Sequence, residues 1–220
     1  MHEASKAALR RIHDPNFAAR YFVGDALDIG AGPDGLSKQQ YLWPRLTTVV
    51  DWDLPDGDAQ LLAFGEAVRW STDLRGVLLT QTRGTEDAAL YGFDVVHSSH
   101  CLEHMVDARA ALVRWFEVVR PGGYLVTLVP DEDLYEQGVW PSTFNSDHKW
   151  TFTPWKPKSW SPVSINVLDL VALLGASAEL VQLQRLERTW NPHGLGLLRW
   201  DRTSTPLGES AIEFVIRKRV

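Results

Sequence analysis

One segment limits the folds open to this chain more than any other: Ala26-Leu-Asp-Ile-Gly30-Ala-Gly32-Pro-Asp-Gly35. An apolar strand running straight into a glycine turn and then a helix is the opening of a β-α-β unit. Glycine permits the tight turn, and without a Cβ it lets a ligand approach the backbone. The helix start adds free N–H groups suited to a carboxylate or phosphate. The pattern Gly30-x-Gly32-x-x-Gly35 alone fits a dinucleotide site equally well. Asp28 shifts the balance, because a carboxylate two residues before the first glycine repels a pyrophosphate and suits a ligand that carries an ammonium group.

The remaining pattern extends that unit. Residues 4–22 read as helical, split by Asp14-Pro15 into two short helices. Ser37–Leu42 is a short helix closed by Pro44, and Leu46–Trp52 is a second strand rich in β-branched residues. Residues 58–91 carry mixed signals, with a helix over Ala59–Trp70 and a strand over Gly76–Thr80. Phe93–His97 is apolar on both faces, as in a parallel sheet covered on both sides. Asp107 caps a helix whose stripe is Ala108, Ala111, Leu112, Trp115, Phe116 and Val119; Pro121-Gly122-Gly123 ends it, and Tyr124–Val129 is the next strand. Ser164 caps a helix over Asn166–Leu174 stopped by Gly175, and Glu179–Trp190 and Ala211–Arg219 are strands. This alternation predicts an open, mostly parallel α/β sheet, with ligands bound at the carboxyl ends of its strands.

At 220 residues, with no repeats and no linker, the chain reads as a single domain. A helical cover over 1–24 precedes the sheet, and a Trp-rich insert spans 131–163. The 22 basic against 28 acidic residues leave a net charge of −6, which gives no overall pull toward nucleic acid or an anionic membrane. Cys101 is the only cysteine, and no apolar run reaches the roughly 18 residues of a spanning helix. The N-terminus lacks the apolar run of a signal peptide, so a soluble, cytoplasmic protein is expected.

Further candidates follow the glycine turn. In Asp51-Trp-Asp53, an acidic residue at the end of the second strand is placed to accept hydrogen bonds from ribose hydroxyls; alternation puts both on one face, so the sequence does not choose between them. Gly57-Asp58-Ala59-Gln60 suits an adenine amino group or is an ordinary turn. Trp140, Trp150, Trp155 and Trp160 either line an aromatic acceptor pocket or pack an irregular segment. His97, His100 and His104 invite a metal reading, but His97 sits in a strand and no thiolate pair accompanies them, so no metal is expected. Cys101 reads as a small buried residue, and Glu103 as a cap or bridge at a helix start.

Together these motifs resemble the class I S-adenosylmethionine-dependent methyltransferases of the small methyltransferase-domain type. The resemblance is carried by Tyr21–Gly24, Ala26–Asp34, Asp56–Gln60, Phe93–His104, Arg120–Gly123, Val129–Gly138, Asp147–Phe152 and Ala211–Phe214. It implies a Rossmann-like three-layer α/β/α sandwich whose sheet is mostly parallel with an antiparallel C-terminal strand. By resemblance, Asp28, Gly30, Ala31 and Gly32 surround the methionine part of S-adenosylmethionine, with Asp53 (or Asp51) at the ribose. Asp58-Ala59 meets the adenine, and Ser99 and His100 lie beside the cofactor. An extra segment between 62 and 92 departs from the compact pattern, and its Glu86-Asp87-Ala88 competes with Asp58-Ala59 for the adenine.

A sulfonium is already a strong electrophile, so such an enzyme mainly positions its acceptor in line. A hydroxyl or protonated amine also needs a general base; His100, His104 and His148 are candidates, with His148 favoured because it lies in the insert. The expectation is O- or N-methylation of a small molecule of natural-product or sugar type by a monomer or homodimer, with no nucleic-acid or membrane partner. Two alternatives stay open: a non-catalytic cofactor-binding subunit and a nucleotide-dependent oxidoreductase.

Overall fold

Proline at position 15 ends the first helix, since the residue before a proline avoids the helical region. Helix α1 spans Glu3–Arg11 and α2 spans Pro15–Tyr21, and Asp14 caps α2 by accepting from the backbone N–H groups of Asn16 and Phe17. The computed structural model describes residues 3–52, 92–187, 199–204 and 208–220. The expected elements between 58 and 91 lie outside the described residues.

Strands β1 (Gly24–Ile29), β2 (Leu46–Trp52), β3 (Phe93–Ser99) and β4 (Val119–Pro130) are joined in parallel. The chain then adds β5 (Thr151–Thr153) and β6 (Ser164–Asn166), which pair with each other in a separate two-stranded sheet. Strands β7 (Ala178–Leu186) and β8 (Ala211–Lys218) complete the main sheet, whose order is β2-β1-β3-β4-β8-β7. β8 runs antiparallel to both neighbours. The sheet is therefore mostly parallel with one antiparallel C-terminal strand, in agreement with the expected Rossmann-like class.

Alternation along the strands sorts side chains onto two faces. Ala26, Val95, Val126 and Val215 point to one face, where Ala8 of α1, Phe17 and Tyr21 of α2, and Phe22 and Trp43 cover them. Their neighbours Leu27, Val96, Leu125 and Phe214 point to the other, against Ala111, Leu112, Trp115 and Phe116 of α3 (Ala108–Glu117) and Leu170 of α4 (Val167–Leu173). The result is three layers. Asp107 caps α3 as expected, accepting from Arg109 and Ala110 N–H groups.

Three local expectations are corrected. Pro121-Gly122-Gly123 does not separate helix from strand but lies inside β4, at a register shift opposite Phe93–Val95. Gly123 is needed there because a Cβ would come 2.6 Å from the Asp94 carbonyl oxygen. The cap of α4 is Asn166, which accepts from Leu168 N–H; Ser164 instead sits in β6 and donates to Glu132. Strand β7 ends at Leu186, short of the expected Trp190, and residues 188–190 lie outside the described residues.

The topology fixes where a site belongs. β1 and β2 advance to one side, and β3 enters on the other side of β1, so the strand order reverses between β1 and β3. The crevice at their carboxyl ends is bounded by the glycine turn after Ile29 and the segment after Ser99. Among the described residues, no helix is long and apolar enough to cross a membrane.

Candidate active site

At the end of β1 the three glycines do different work. Gly30 has φ +69°, and a Cβ there would come 2.6 Å from Cys101 Sγ, so this glycine lets the turn pack on the segment that follows β3. Gly35 makes room for Asp51, whose Oδ2 would lie 2.5 Å from an added Cβ. Gly32 has φ +58°, and no described atom lies within 4 Å of a Cβ built there. It is the glycine with an open side, where a ligand can meet backbone. Ala31, between them, is buried.

Asp28 is buried and held from two sides. Its Oδ2 accepts from Leu36 N–H at 2.7 Å, and its Oδ1 lies 2.6 Å from His97 Nδ1. Arg11 Nη1 is 3.1 Å from His97 Nε2, and a guanidinium can only donate. His97 Nε2 therefore accepts, which places the imidazole proton on Nδ1, facing Asp28. Arg11 in turn donates to Glu213 from Nε and Nη2, at 3.0 and 2.6 Å. Burial pushes the Glu213 carboxyl up, but Arg11 and Arg10 outweigh it and hold it down to about 2. A chain Glu213–Arg11–His97–Asp28 thus ties the N-terminal helix to the glycine turn. Each Asp28 oxygen still has acceptor capacity for a ligand ammonium.

Asp51 is occupied locally: its carboxylate accepts from Ser37 N–H and Ser37 Oγ and pins the 3₁₀ turn Leu36–Leu42. Asp53, Asp58, Ala59, Glu86 and Asp87 lie outside the described residues. Ser99 sits at the end of β3, and its buried Oγ has no hydrogen-bond partner among the described residues. An orphaned buried hydroxyl at the carboxyl end of a strand is what a polar ligand in the crevice would satisfy. These residues fit S-adenosylmethionine.

Past Ser99, the backbone of His100 adopts φ +54°, fixed by its N–H donating to Leu128 O at 3.0 Å. His100, Glu103 and His104 then line a cavity of about 170 Å³, together with Tyr135, Asn145, His148 and Thr203. One lining residue, His100, immediately precedes Cys101, on which Gly30 packs. His104 Nδ1 lies 2.8 Å from Asp147 Oδ2, and His148 Nδ1 lies 2.8 Å from Glu136 Oε1. Glu103 is fully buried. Burial pushes its carboxyl up, yet His100, His104 and His148 together hold it below the ordinary range.

The insert contributes Tyr135, Asn145 and His148 to the cavity, but none of its tryptophans. Trp150 packs on the core and donates to Met105 O, Trp160 donates to Asp133, and Trp155 is exposed. The insert is organised instead by Glu132, buried and accepting from Lys156, Ser159 and Ser164.

A family model described as a methyltransferase domain matches residues 1–156. The chain belongs to the methyltransferase-domain family. It is an enzyme of the S-adenosylmethionine-dependent class. Among curated proteins compared by sequence, none matches this methyltransferase. Solved structures share its fold. A SAM-dependent methyltransferase from Archaeoglobus fulgidus is 16% identical with a TM-score of 0.55, covering 98% of this chain and 94% of its own. An S-adenosylmethionine-dependent methyltransferase from Clostridium acetobutylicum is 10% identical with a TM-score of 0.52, covering 100% and 93%.

Sequence reasoning missed that Glu103 lines the cavity, that Glu136 holds His148, and that His97, Arg11 and Glu213 form a chain to Asp28. The one signal available was Glu103-His104, a carboxylate and an imidazole side by side directly after a strand end. Arg11, His97 and Glu213 are too far apart in sequence for any spacing rule to join them.

Proposed function

We propose that this enzyme transfers a methyl group to a small-molecule acceptor whose nucleophilic atom, oxygen or nitrogen, enters the cavity of His100, Glu103, His104 and His148. On this reading residues 1–220 act as one methyltransferase domain, with 131–163 forming the acceptor side. One observation carries the proposal: a histidine-lined cavity begins at His100, the chain neighbour of Cys101, on which Gly30 of the glycine turn packs. At about 170 Å³ it admits the reacting end of an acceptor and little more.

The cofactor supplies, when bound, a methyl group on a sulfonium. The chain's own residues bind and orient. Asp28 and Ser99 offer acceptors at the crevice; with Asp51 taken up by Ser37, Asp53 belongs to the ribose, and Asp58-Ala59 to the adenine. Base work falls to His100, which lines the cavity and is bonded in the chain to Cys101, on which Gly30 packs. His148 faces it across the cavity, and its pinned Nδ1 leaves Nε2 for the acceptor side.

The test is turnover with a labelled methyl donor over a panel of small hydroxyl and amine acceptors. His100→Ala is expected to lower kcat about 100-fold. Unchanged kcat at saturating acceptor would remove His100 from the chemistry.

A further inference from the structure

Three histidines and Glu103 line the cavity, with Asp147 and Glu136 behind two of the imidazoles, and one group among them is costly as it stands. Glu103 is 0% exposed, and neither of its oxygens accepts a hydrogen bond from any described residue. Its nearest imidazole nitrogens are 3.6 Å (His100 Nδ1) and 3.8 Å (His104 Nε2) away, beyond hydrogen-bond length. A buried carboxylate without a hydrogen-bond donor is expensive unless nearby positive charge compensates it. One ligand atom from each of Glu103, His104 and His148 lies within 4.8 Å of the others.

The shell behind these residues points the same way. His104 Nδ1 is held by Asp147 and His148 Nδ1 by Glu136, each at 2.8 Å. With both Nδ1 atoms on carboxylates, Nε2 is the nitrogen left to coordinate. Carboxylates behind imidazoles are the usual second layer of a metal centre, because they fix the tautomer and make the free nitrogen more basic. His97, weighed from sequence for such a site, is committed to Asp28 and Arg11; His148, 44 residues beyond His104 by their numbers, takes its place.

We propose that Glu103, His104 and His148 bind a divalent transition-metal ion, of the zinc, manganese or iron(II) type, that orients an oxygen acceptor for methylation. Two imidazoles and one carboxylate favour these ions over magnesium or calcium, which prefer all-oxygen shells. Three protein ligands leave positions open for an acceptor oxygen. Drawing the three side chains onto one ion takes movements of about 1 Å. The ion lowers the pKa of a coordinated acceptor hydroxyl, whose proton passes to His100. The oxygen then bonds to the methyl carbon as the carbon–sulfur bond breaks, its electron pair staying on sulfur. This deepens the proposed function and rests on the acceptor entering this cavity.

The probe is Co²⁺ alone, titrated into chelator-treated full-length protein and read by its visible d–d absorption, with Zn²⁺ as competitor. A single tight ion is expected. Glu103→Gln and His148→Ala should weaken it at least about 100-fold, and Glu136→Gln and Asp147→Asn about 10- to 100-fold. Calorimetry with S-adenosylhomocysteine on every variant reports that the fold and the cofactor site survive. No Co²⁺ uptake by wild-type protein, or equal uptake by Glu103→Gln, overturns the metal site while the methyl-transfer reading stands. Co²⁺ binding without any heat from S-adenosylhomocysteine would instead overturn the methyl-transfer reading and leave the ion site in place.

Discussion

Glu213→Gln is expected to destabilise the protein by about 3–5 kcal/mol, the cost of leaving a buried guanidinium without its counter-charge. Glu213 is fully buried and accepts from Arg10, Arg11 and Gln182, while Arg11 is itself only 2% exposed. Arg10 keeps Glu209 as a second partner, but among the described residues Arg11 has no other carboxylate. Its guanidinium would be left over the rings of Phe17 and Phe22 and against His97.

The pH dependence gives an independent readout. The folded-state carboxyl is depressed to about 2 from the ordinary 4.5. Its contribution is therefore fully present above pH 4.5 and is lost as pH falls from there through about 2. The loss should approach about 3 kcal/mol. Denaturant unfolding of wild type between those limits should show this slope, and Glu213→Gln should lack it. Parallel pH profiles for the two proteins would mean that the Glu213–Arg11 pair is not what ties α1 to the sheet.

The second large effect is at Gly30. Alanine there must hold a left-handed backbone, at about 1–2 kcal/mol, and forces its Cβ onto Cys101, for a further 1–3 kcal/mol or so. The contact distances of 2.6 Å to Sγ and 2.7 Å to Cβ leave Cys101 nowhere to stay. Displacing Cys101 moves its neighbour His100, so methyl transfer should fall together with Tm. The cause can be isolated. Adding Cys101→Gly removes both colliding atoms, so the double variant should recover most of the lost Tm and keep only the backbone cost. If Gly30→Ala alone melts like wild type, the packing of the glycine turn on the post-β3 segment is wrong.

Local signals survived translation into structure where one residue settles the outcome. Asp14-Pro15 divides the helices, Asp107 caps α3, and the β-branched run Leu46–Trp52 is a strand with those same ends. Signals failed where two residues compete for one job. Ser164 and Asn166 can both cap a helix, and the buried carboxylate of Glu132 decides by drawing Ser164 into β6. Pro121-Gly122-Gly123 reads as a stop, yet β4 absorbs it because Gly123 can pass the Asp94 carbonyl.

The strand-turn unit around Gly30 was legible for a similar reason. A glycine turn after a strand is a local object: Asp28, Gly30, Ala31 and Gly32 lie at the end of β1, and Ser99 and His100 at the end of its neighbour β3. What each does was not legible. Gly30 serves packing, Asp51 is spent on Ser37, and Asp28 is held by His97, a partner across the β1–β3 pairing. The histidine-lined cavity was harder still, since Glu103, Glu136 and His148 meet only after the insert has folded over the end of β3.

Calorimetric titration with S-adenosylhomocysteine of wild type beside Gly32→Ala tests the central claim, that the open glycine at the end of β1 is where the cofactor meets the chain. Gly32 has no described atom within 4 Å of an added Cβ, so alanine there costs only backbone strain and leaves the core undisturbed. The account predicts a clear binding isotherm for wild type, weakened at least about tenfold in a folded Gly32→Ala protein. Equal affinity in the two proteins, or no heat from wild type at millimolar ligand, would contradict it.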